Sequence, residues 1–118
     1  MRRPALALAA AAVAVCALVP AVAGASGGPT KTVKIYDSYF SPSKLTVKSG
    51  TTIKWAWSPG LSYTHDVMLS SGPKGVKHFM SDYAASGYSF KKKFTVPGTY
   101  KFKCDLHEGM AMKVVVKR

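Results

Sequence analysis

The chain has 118 residues, of which 47% are hydrophobic, and its 17 Lys and Arg against five Asp and Glu give a formal net charge of +12. This length fits one domain, and the basic excess predicts attraction to acidic proteins or to an anionic cell envelope. It does not favour nucleic-acid binding, because the lysines alternate along predicted strands and form no stripe on a helix.

The first residues are predicted to be a signal peptide. A basic start at residues 2–3 precedes an apolar stretch at 5–19, which is too short for a permanent membrane span. Small residues then allow cleavage after Ala23 or Ala25. The alternative is an uncleaved N-terminal anchor.

This cleavage would set the organisation of the chain. We expect a signal peptide over residues 1–25, a short linker over 26–30 and one domain over 31–118, located in the periplasm, the cell envelope or the medium. Loss of the two N-terminal arginines leaves 15 basic and five acidic residues, a net charge of +10.

Cleavage would also remove Cys16 and leave Cys104 as the single cysteine. An intramolecular disulfide is then impossible, and an unpaired thiol outside the cytoplasm is exposed to oxidation. Burial as a metal thiolate would protect it. An inert buried cysteine is the alternative, but that interpretation does not explain why His107 follows three residues later.

The rest of the chain predicts short strands separated by Gly and Pro turns, with no convincing helix. Residues 37–44 are predicted to be a turn region, and residues 78–86 are either a short helical turn or an irregular crossover. Six to eight such strands favour an antiparallel β-sandwich or barrel. The predicted strands are 32–36, one opened by Leu45 and Val47, 51–57, 65–69, 88–95, 100–104 and 114–116.

Two details along these strands make specific predictions. Lys92 shares its parity with Phe90 and Phe94, so we expect a bulge or an edge position that turns the lysine away from the core. Val96-Pro97-Gly98-Thr99 predicts a type II turn, in which Gly98 has a positive φ.

The segment between the last two strands holds the most distinctive chemistry. Cys104, His107, Met110 and Met112 bring a thiolate, an imidazole and two thioethers into nine residues. Such a set suits copper, and a blue-copper site needs one more imidazole. His65 is the candidate, because it shares parity with core residues of its predicted strand. The third histidine, His78, is expected on the surface.

Several motifs occur in the order found in small blue copper proteins. The sequence resembles the plastocyanin/amicyanin group of cupredoxins over most of residues 31–117. The resemblance rests on Phe40-Ser-Pro, Leu45-Thr-Val-Lys-Ser-Gly50, Thr64-His65-Asp-Val67, Pro97-Gly-Thr-Tyr100 and Cys104-x-x-His107-x-x-Met110.

This resemblance implies a Greek-key β-sandwich of about seven to eight strands with one type 1 copper ion at one end. The implied ligands are His65, Cys104 and His107, with Met110 as the axial ligand. The implied role is outer-sphere one-electron transfer between redox partner proteins, with His107 as the solvent-facing port. We expect a monomer that is not an enzyme.

Three positions leave questions open. Met112 has the spacing of plastocyanin-like loops, whereas Met110 has the amicyanin-like spacing and aligns the next strand without a gap. If Met112 is not a ligand, we expect it in an apolar rim around the imidazole. Asp66 and Asp105 stand where the family often has Asn and Ser or Thr. If these carboxylates face each other, Asp66→Asn should change the reduction potential or its pH dependence.

Other functions use some of the same residues. An extracytoplasmic copper chaperone or scavenger would need the same ligands, and zinc also binds to two His and a Cys. A cysteine hydrolase would use Cys104 with a histidine base, but no oxyanion motif accompanies it. A metal-free structural sandwich would make Cys104 and His107 incidental. A multicopper oxidase is disfavoured, because it needs additional His-x-His clusters and the chain has only three His.

Overall fold

The computed structural model describes residues 28–118, and in this part of the chain it has eight strands and no helix. The all-β sandwich is confirmed, whereas the predicted signal peptide, its cleavage sites and Cys16 lie outside the described residues. The strands are β1 (Thr30–Tyr36), β2 (Tyr39–Ser41), β3 (Lys44–Lys48), β4 (Thr51–Trp57), β5 (Met68–Ser71), β6 (Ser89–Phe94), β7 (Gly98–Lys103) and β8 (Ala111–Lys117).

The strands form two four-stranded sheets, with the orders β2-β1-β4-β6 and β3-β8-β7-β5. The chain passes repeatedly from one sheet to the other, as a Greek-key sandwich requires. Two pairs, β1 with β4 and β3 with β8, are parallel. The purely antiparallel arrangement expected from strand spacing is therefore wrong, although every other strand pair is antiparallel.

The core lies between the sheets and follows from strict alternation along the strands. In β4 every second residue is buried, and Trp55 has no exposed surface. Its ring centroid lies 5.0 Å from that of Phe102 on the other sheet. Aromatic side chains of this size bury large apolar areas and favour tilted contacts. This packing makes a stiff base for the loops at the end of the sandwich.

The edge position predicted for Lys92 is confirmed. β6 is the outer strand of its sheet, and it pairs with β4 in continuous register without a bulge. The side chain of Lys92 is exposed, and its Nζ lies 4.6 Å from the centroid of the Phe79 ring. The stem can therefore leave the core side while the charge stays in water.

The structure tests four predictions about individual loops and strands. The predicted turn region contains the short strand β2, and β5 begins at Met68 and not at His65, which makes only an isolated bridge to Ala84. Residues 78–86 are irregular. Gly98 has a φ of +142°, so the predicted positive φ is confirmed, but Gly98 begins β7 and does not have the φ of about +80° that the predicted type II turn requires. None of the described residues forms a helix long and apolar enough to cross a membrane.

Candidate metal centre

Two loops at one end of the sandwich carry the predicted ligands. The β7–β8 loop begins where Lys103 pairs with Ala111. The N–H of Cys104 donates to the carbonyl of Met110 at 2.9 Å, and the N–H of Met110 donates to that of His107 at 3.2 Å. Because these bonds close the loop on itself, its cysteine, histidine and methionine are held close together.

The β4–β5 loop carries His65. Its backbone exchanges two hydrogen bonds with Ala84, at 2.9 and 3.0 Å, and the indole N–H of Trp57 donates to its carbonyl at 3.2 Å. The side chain has no exposed surface. The first predicted histidine is thus fixed by backbone bonds on both sides, although it lies outside a regular strand.

The structure brings His65, Cys104 and His107 together. Sγ of Cys104 lies 3.9 Å from Nδ1 of His65 and 3.4 Å from Nδ1 of His107. One ligand atom from each residue lies within 4.8 Å of the others. Three donors at about 2.0–2.3 Å from one metal ion in a trigonal plane lie about 3.5–4.0 Å apart. The two distances from Sγ, 3.9 and 3.4 Å, are close to this range, so the three residues can bind a single ion.

Asp37 determines which nitrogen of His65 is available. Its Oδ1 lies 2.8 Å from Nε2 of His65, and its two carboxylate oxygens also accept the backbone N–H groups of Ser62 and Tyr63. The bond to His65, followed by the one to Ser62, lowers the pKa of Asp37. An ionised carboxylate only accepts, so Nε2 carries the proton and the lone pair of Nδ1 is directed to the ligand cluster.

The thiol of Cys104 is buried, with 2% of its surface exposed, and it is not in a disulfide. Burial raises the pKa of Cys104, and backbone hydrogen bonds from Asp66 and Leu106 oppose this effect. An activated nucleophile needs a lowered pKa and access to substrate. The surroundings of Cys104 therefore disfavour a hydrolase, and a bound cation would be the natural stabiliser of its thiolate.

Asp66 connects the two ligand loops. It has no exposed surface, and its Oδ1 accepts the backbone N–H of Asp105 at 2.7 Å. Its Oδ2 is buried without a hydrogen-bond partner among the described residues. Asp105 instead accepts a hydrogen bond from the hydroxyl of Tyr83 at 3.2 Å. The two carboxylates therefore take different partners, and Asp66 connects the loops through the backbone.

The two methionines have different surroundings. Both are buried, but Sδ of Met112 accepts the indole N–H of Trp55 at 3.3 Å, on the core side of β8. The interpretation of Met112 as part of an exposed rim is therefore wrong. Its parity with Val114 and Val116 was the signal for this. Met110 lies at the end of the ligand loop with 2% of its surface exposed, and none of the hydrogen bonds among the described residues involves its sulfur.

His107 is half-buried at the surface of this end. Its ring centroid lies 5.8 Å from that of the exposed Tyr63. The preceding residue, Leu106, is also exposed. Tyr83 is exposed as well, and its hydroxyl contacts Asp105 of the same loop. His78 is exposed and does not belong to the cluster.

Two contributors could not be identified from the sequence. Asp37 precedes His65 by 28 positions and belongs to the β1–β2 turn, and Tyr83 precedes Asp105 by 22. Neither follows a ligand-like spacing. Only knowledge of which loops meet at this end of the sandwich would have indicated them.

The donor set fits copper. A thiolate and two imidazoles with a buried thioether nearby are the ligands that copper takes in blue-copper sites. Structural zinc sites more often have a fourth thiolate, imidazole or carboxylate. The carboxylate on the far side of the His65 ring also fits the pattern of metal-binding histidines.

Comparisons with known proteins agree with this chemistry. Residues 30–117 match the model of the family described as copper binding proteins, plastocyanin/azurin family. Amicyanin-alpha from Methylorubrum extorquens is 34% identical over 97 residues, which cover 82% of this chain and 79% of that protein. Plastocyanin from Scenedesmus fuscus is 34% identical over 80 residues, or 63% of this chain and 80% of that protein.

Solved structures show the same similarity. The structure of an oxidized amicyanin mutant superposes with a TM-score of 0.64 at 27% identity, covering 73% of this chain and 80% of that one. A copper-containing nitrite reductase from Thermus scotoductus gives a TM-score of 0.65 at 25% identity. The match covers 76% of this chain but only 22% of the enzyme. The similarity to this enzyme is thus limited to one part of it.

Proposed function

The chain belongs to the plastocyanin/azurin family of copper-binding proteins, and from this premise we propose that it is an exported one-electron carrier. His65, Cys104, His107 and Met110 would hold a single type 1 copper ion. The observation that carries the proposal is the convergence of one thiol and two imidazoles within 4.8 Å at the end of a stiff sandwich.

Copper supplies a reversible change between two oxidation states when it is bound. The protein residues hold the donors in nearly the same place for both states. Asp37 fixes the ring of His65, and Asp66 joins the two ligand loops. The backbone hydrogen bond from Cys104 to Met110 fixes the shape of the β7–β8 loop. Little rearrangement then opposes electron transfer.

Electrons are exchanged at His107. This ring is the one ligand of the cluster with solvent contact, whereas His65 and Cys104 are buried. Tyr63 and Leu106 expose about half of their surface beside it. A redox partner protein that covers these side chains would exclude water from the short path to the metal. Such a surface fits transient docking of a monomer.

The buried and connected ligand loops favour electron carriage over copper delivery, because they would hold the metal firmly. A chaperone must release its ion to a partner, but His65 is fully buried and both ligand loops are connected through Asp66. A catalytic role is equally disfavoured, since His65, Cys104 and Met110 are all buried and leave a substrate no exposed ligand but His107.

The location follows from the N-terminal segment. We infer that residues 1–25 direct export and are removed, and that the domain over residues 31–118 then works outside the cytoplasm. Copper loading after export would also protect the single remaining thiol from oxidation.

Voltammetry of the copper-loaded chain tests the proposal. We expect a reversible one-electron wave, with the metal retained through repeated cycles in the presence of a competing Cu(I) chelator. Transfer of copper to the chelator at each reduction would contradict electron carriage and support a delivery role. Cys104→Ser is the control and should abolish the wave.

A further inference from the structure

The charged side chains on the outward surface of the sheet β3-β8-β7-β5 are all lysines. We call this surface the lysine face. All its lysines are exposed, and they alternate with buried residues of the same strands, so their side chains point away from the core. The lysine face consists of Lys44, Lys48, Lys101, Lys103, Lys113 and Lys117.

The strand register places these charges directly opposite one another. Lys113 of β8 is the partner of Lys44 on one side and of Lys101 on the other, which makes a row of three lysines across three strands. Lys48 is the partner of Lys117. Like charges that face each other across strands are destabilising. Repulsion between these lysines therefore lowers the stability of the folded protein when no anion is bound to this face.

No acidic side chain among the described residues forms an ion pair with this face. The ion pair that they do form joins Asp37 to His65 at the metal end. The acidic residues of the chain are Asp37, Asp66, Asp82, Asp105 and Glu108. An external anion would therefore not compete with an internal ion pair on the lysine face.

The lysine face also contains a depression of about 410 Å³. Its charged lining consists of Lys44, Lys101, Lys103 and Lys113, and the hydroxyl-bearing Ser43 and Ser70 lie at its border. This depression is shallow and open to solvent, unlike the enclosed clefts that hold small molecules. Four lysines at its border can contact an anionic chain that lies across it.

We propose that the lysine face binds an extended, phosphate-rich polyanion. Ammonium groups bind phosphate as point charges, and the depression would receive one segment of the chain. The pair Lys48 and Lys117 lies four residues from the pair Lys44 and Lys113, or about 13 Å along the strands. A single phosphate cannot span this distance, whereas an extended chain with repeated phosphates can.

This binding is compatible with electron exchange but does not depend on it. The lysine face runs along the side of the sandwich, whereas His107 lies at the end beyond β7 and β8. A protein held by this face would keep its copper end accessible. The redox role could fail its test without affecting this proposal, and the reverse also holds.

The opposite sheet offers a matched control. Lys54 and Lys91 are also direct partners on antiparallel strands, as are Lys101 and Lys113. The double variants Lys101→Gln/Lys113→Gln and Lys54→Gln/Lys91→Gln therefore remove the same charge from equivalent positions. Equal near-UV circular dichroism spectra of the metal-free proteins would show that both variants are folded.

The test measures binding of the full chain to long-chain inorganic polyphosphate between 50 and 200 mM salt. We expect Lys101→Gln/Lys113→Gln to weaken binding about tenfold and to reduce the slope of log K against log salt by about 1 to 2, since two phosphate contacts are lost. Lys54→Gln/Lys91→Gln should change affinity much less.

Three results would overturn the proposal. Equal loss of affinity in both double variants would mean that net charge alone drives binding. Equally tight binding of inorganic phosphate would indicate a small-anion site. Preferential binding to vesicles of anionic lipid, with the same variant pattern, would make a membrane surface the occupant.

Discussion

Nε2 of His65 lies 2.8 Å from Oδ1 of Asp37, in a turn 28 positions earlier in the chain. The same carboxylate accepts the N–H groups of Ser62 and Tyr63. One side chain thus orients a ligand ring and anchors the loop that carries it. The metal centre therefore depends on a residue that does not itself reach the metal.

Replacement of this carboxylate should weaken metal binding. Asp37→Asn keeps the size of the side chain but removes the charge that orients the His65 ring, so we expect a 10- to 100-fold lower Cu(II) affinity. Competitive titration with a copper chelator measures this. Asp82→Asn is the control, because its carboxylate accepts a bond only from the Tyr88 hydroxyl at 3.4 Å. Equal affinities in the two variants would contradict the role of Asp37.

Asp66 should act on both stability and redox potential. Asp66→Ala leaves the N–H of Asp105 without its acceptor, which should cost about 0.5–1.5 kcal/mol in the free energy of unfolding. Asp66→Asn keeps an acceptor and should cost less. Asp66→Asn should also raise the reduction potential, because a carboxylate near the metal favours the oxidised state. Denaturant unfolding and voltammetry measure the two effects, and an unchanged potential would count against the second.

Substitution of the two methionines should have different effects, one on the spectra of the copper site and the other on the stability of the fold. Met110→Leu should alter the visible and EPR spectra of the Cu(II) form, because it removes the proposed axial thioether. Met112→Leu should leave both spectra intact but lower the free energy of unfolding by about 1–3 kcal/mol, since the Trp55 indole N–H loses its acceptor. The opposite pattern of spectral changes would assign the axial position to Met112.

Tyr100 should make stability depend on alkaline pH. Burial raises the pKa of its phenol, and its hydroxyl donates to the carbonyl of Val96 at 2.6 Å. The folded pKa exceeds the unfolded one, so this contribution is complete below pH about 10 and is lost as the pH rises through the folded pKa. Tyr100→Phe should be less stable by about 0.5–1.5 kcal/mol at pH 7.

The stability gap between wild type and Tyr100→Phe should therefore narrow above pH about 10. Urea unfolding at a series of pH values measures it. A gap that stays constant from neutral to strongly alkaline pH would show that the phenol titrates equally in the folded and unfolded chains.

The fold was predictable where one physical rule dominates. Alternation along β4 places Trp55 in the core because side chains of a strand point to opposite faces. Lys92 is an exception, because its parity would place a charged side chain in the core. Its position on the edge strand β6 lets this side chain reach solvent. The same period also determines that Met112 faces the core with Val114, so this position could have been assigned from the sequence.

The parts that could not be predicted depend on contacts between distant loops. The ligands of the β7–β8 loop are close in sequence, and their spacing indicates a metal. Asp37 meets His65 only because the β1–β2 turn and the β4–β5 loop end at the same side of the sandwich. The parallel pairing of β1 with β4 is likewise set by the crossing of the chain, which strand spacing does not determine.

The most direct measurement loads the chain with Cu(II) and records its visible and EPR spectra beside those of Cys104→Ser. A closed centre of Cys104, His65 and His107 predicts an intense blue band that is absent from the variant. A colourless wild-type protein after saturation with Cu(II), or a blue band that survives in Cys104→Ser, would contradict it.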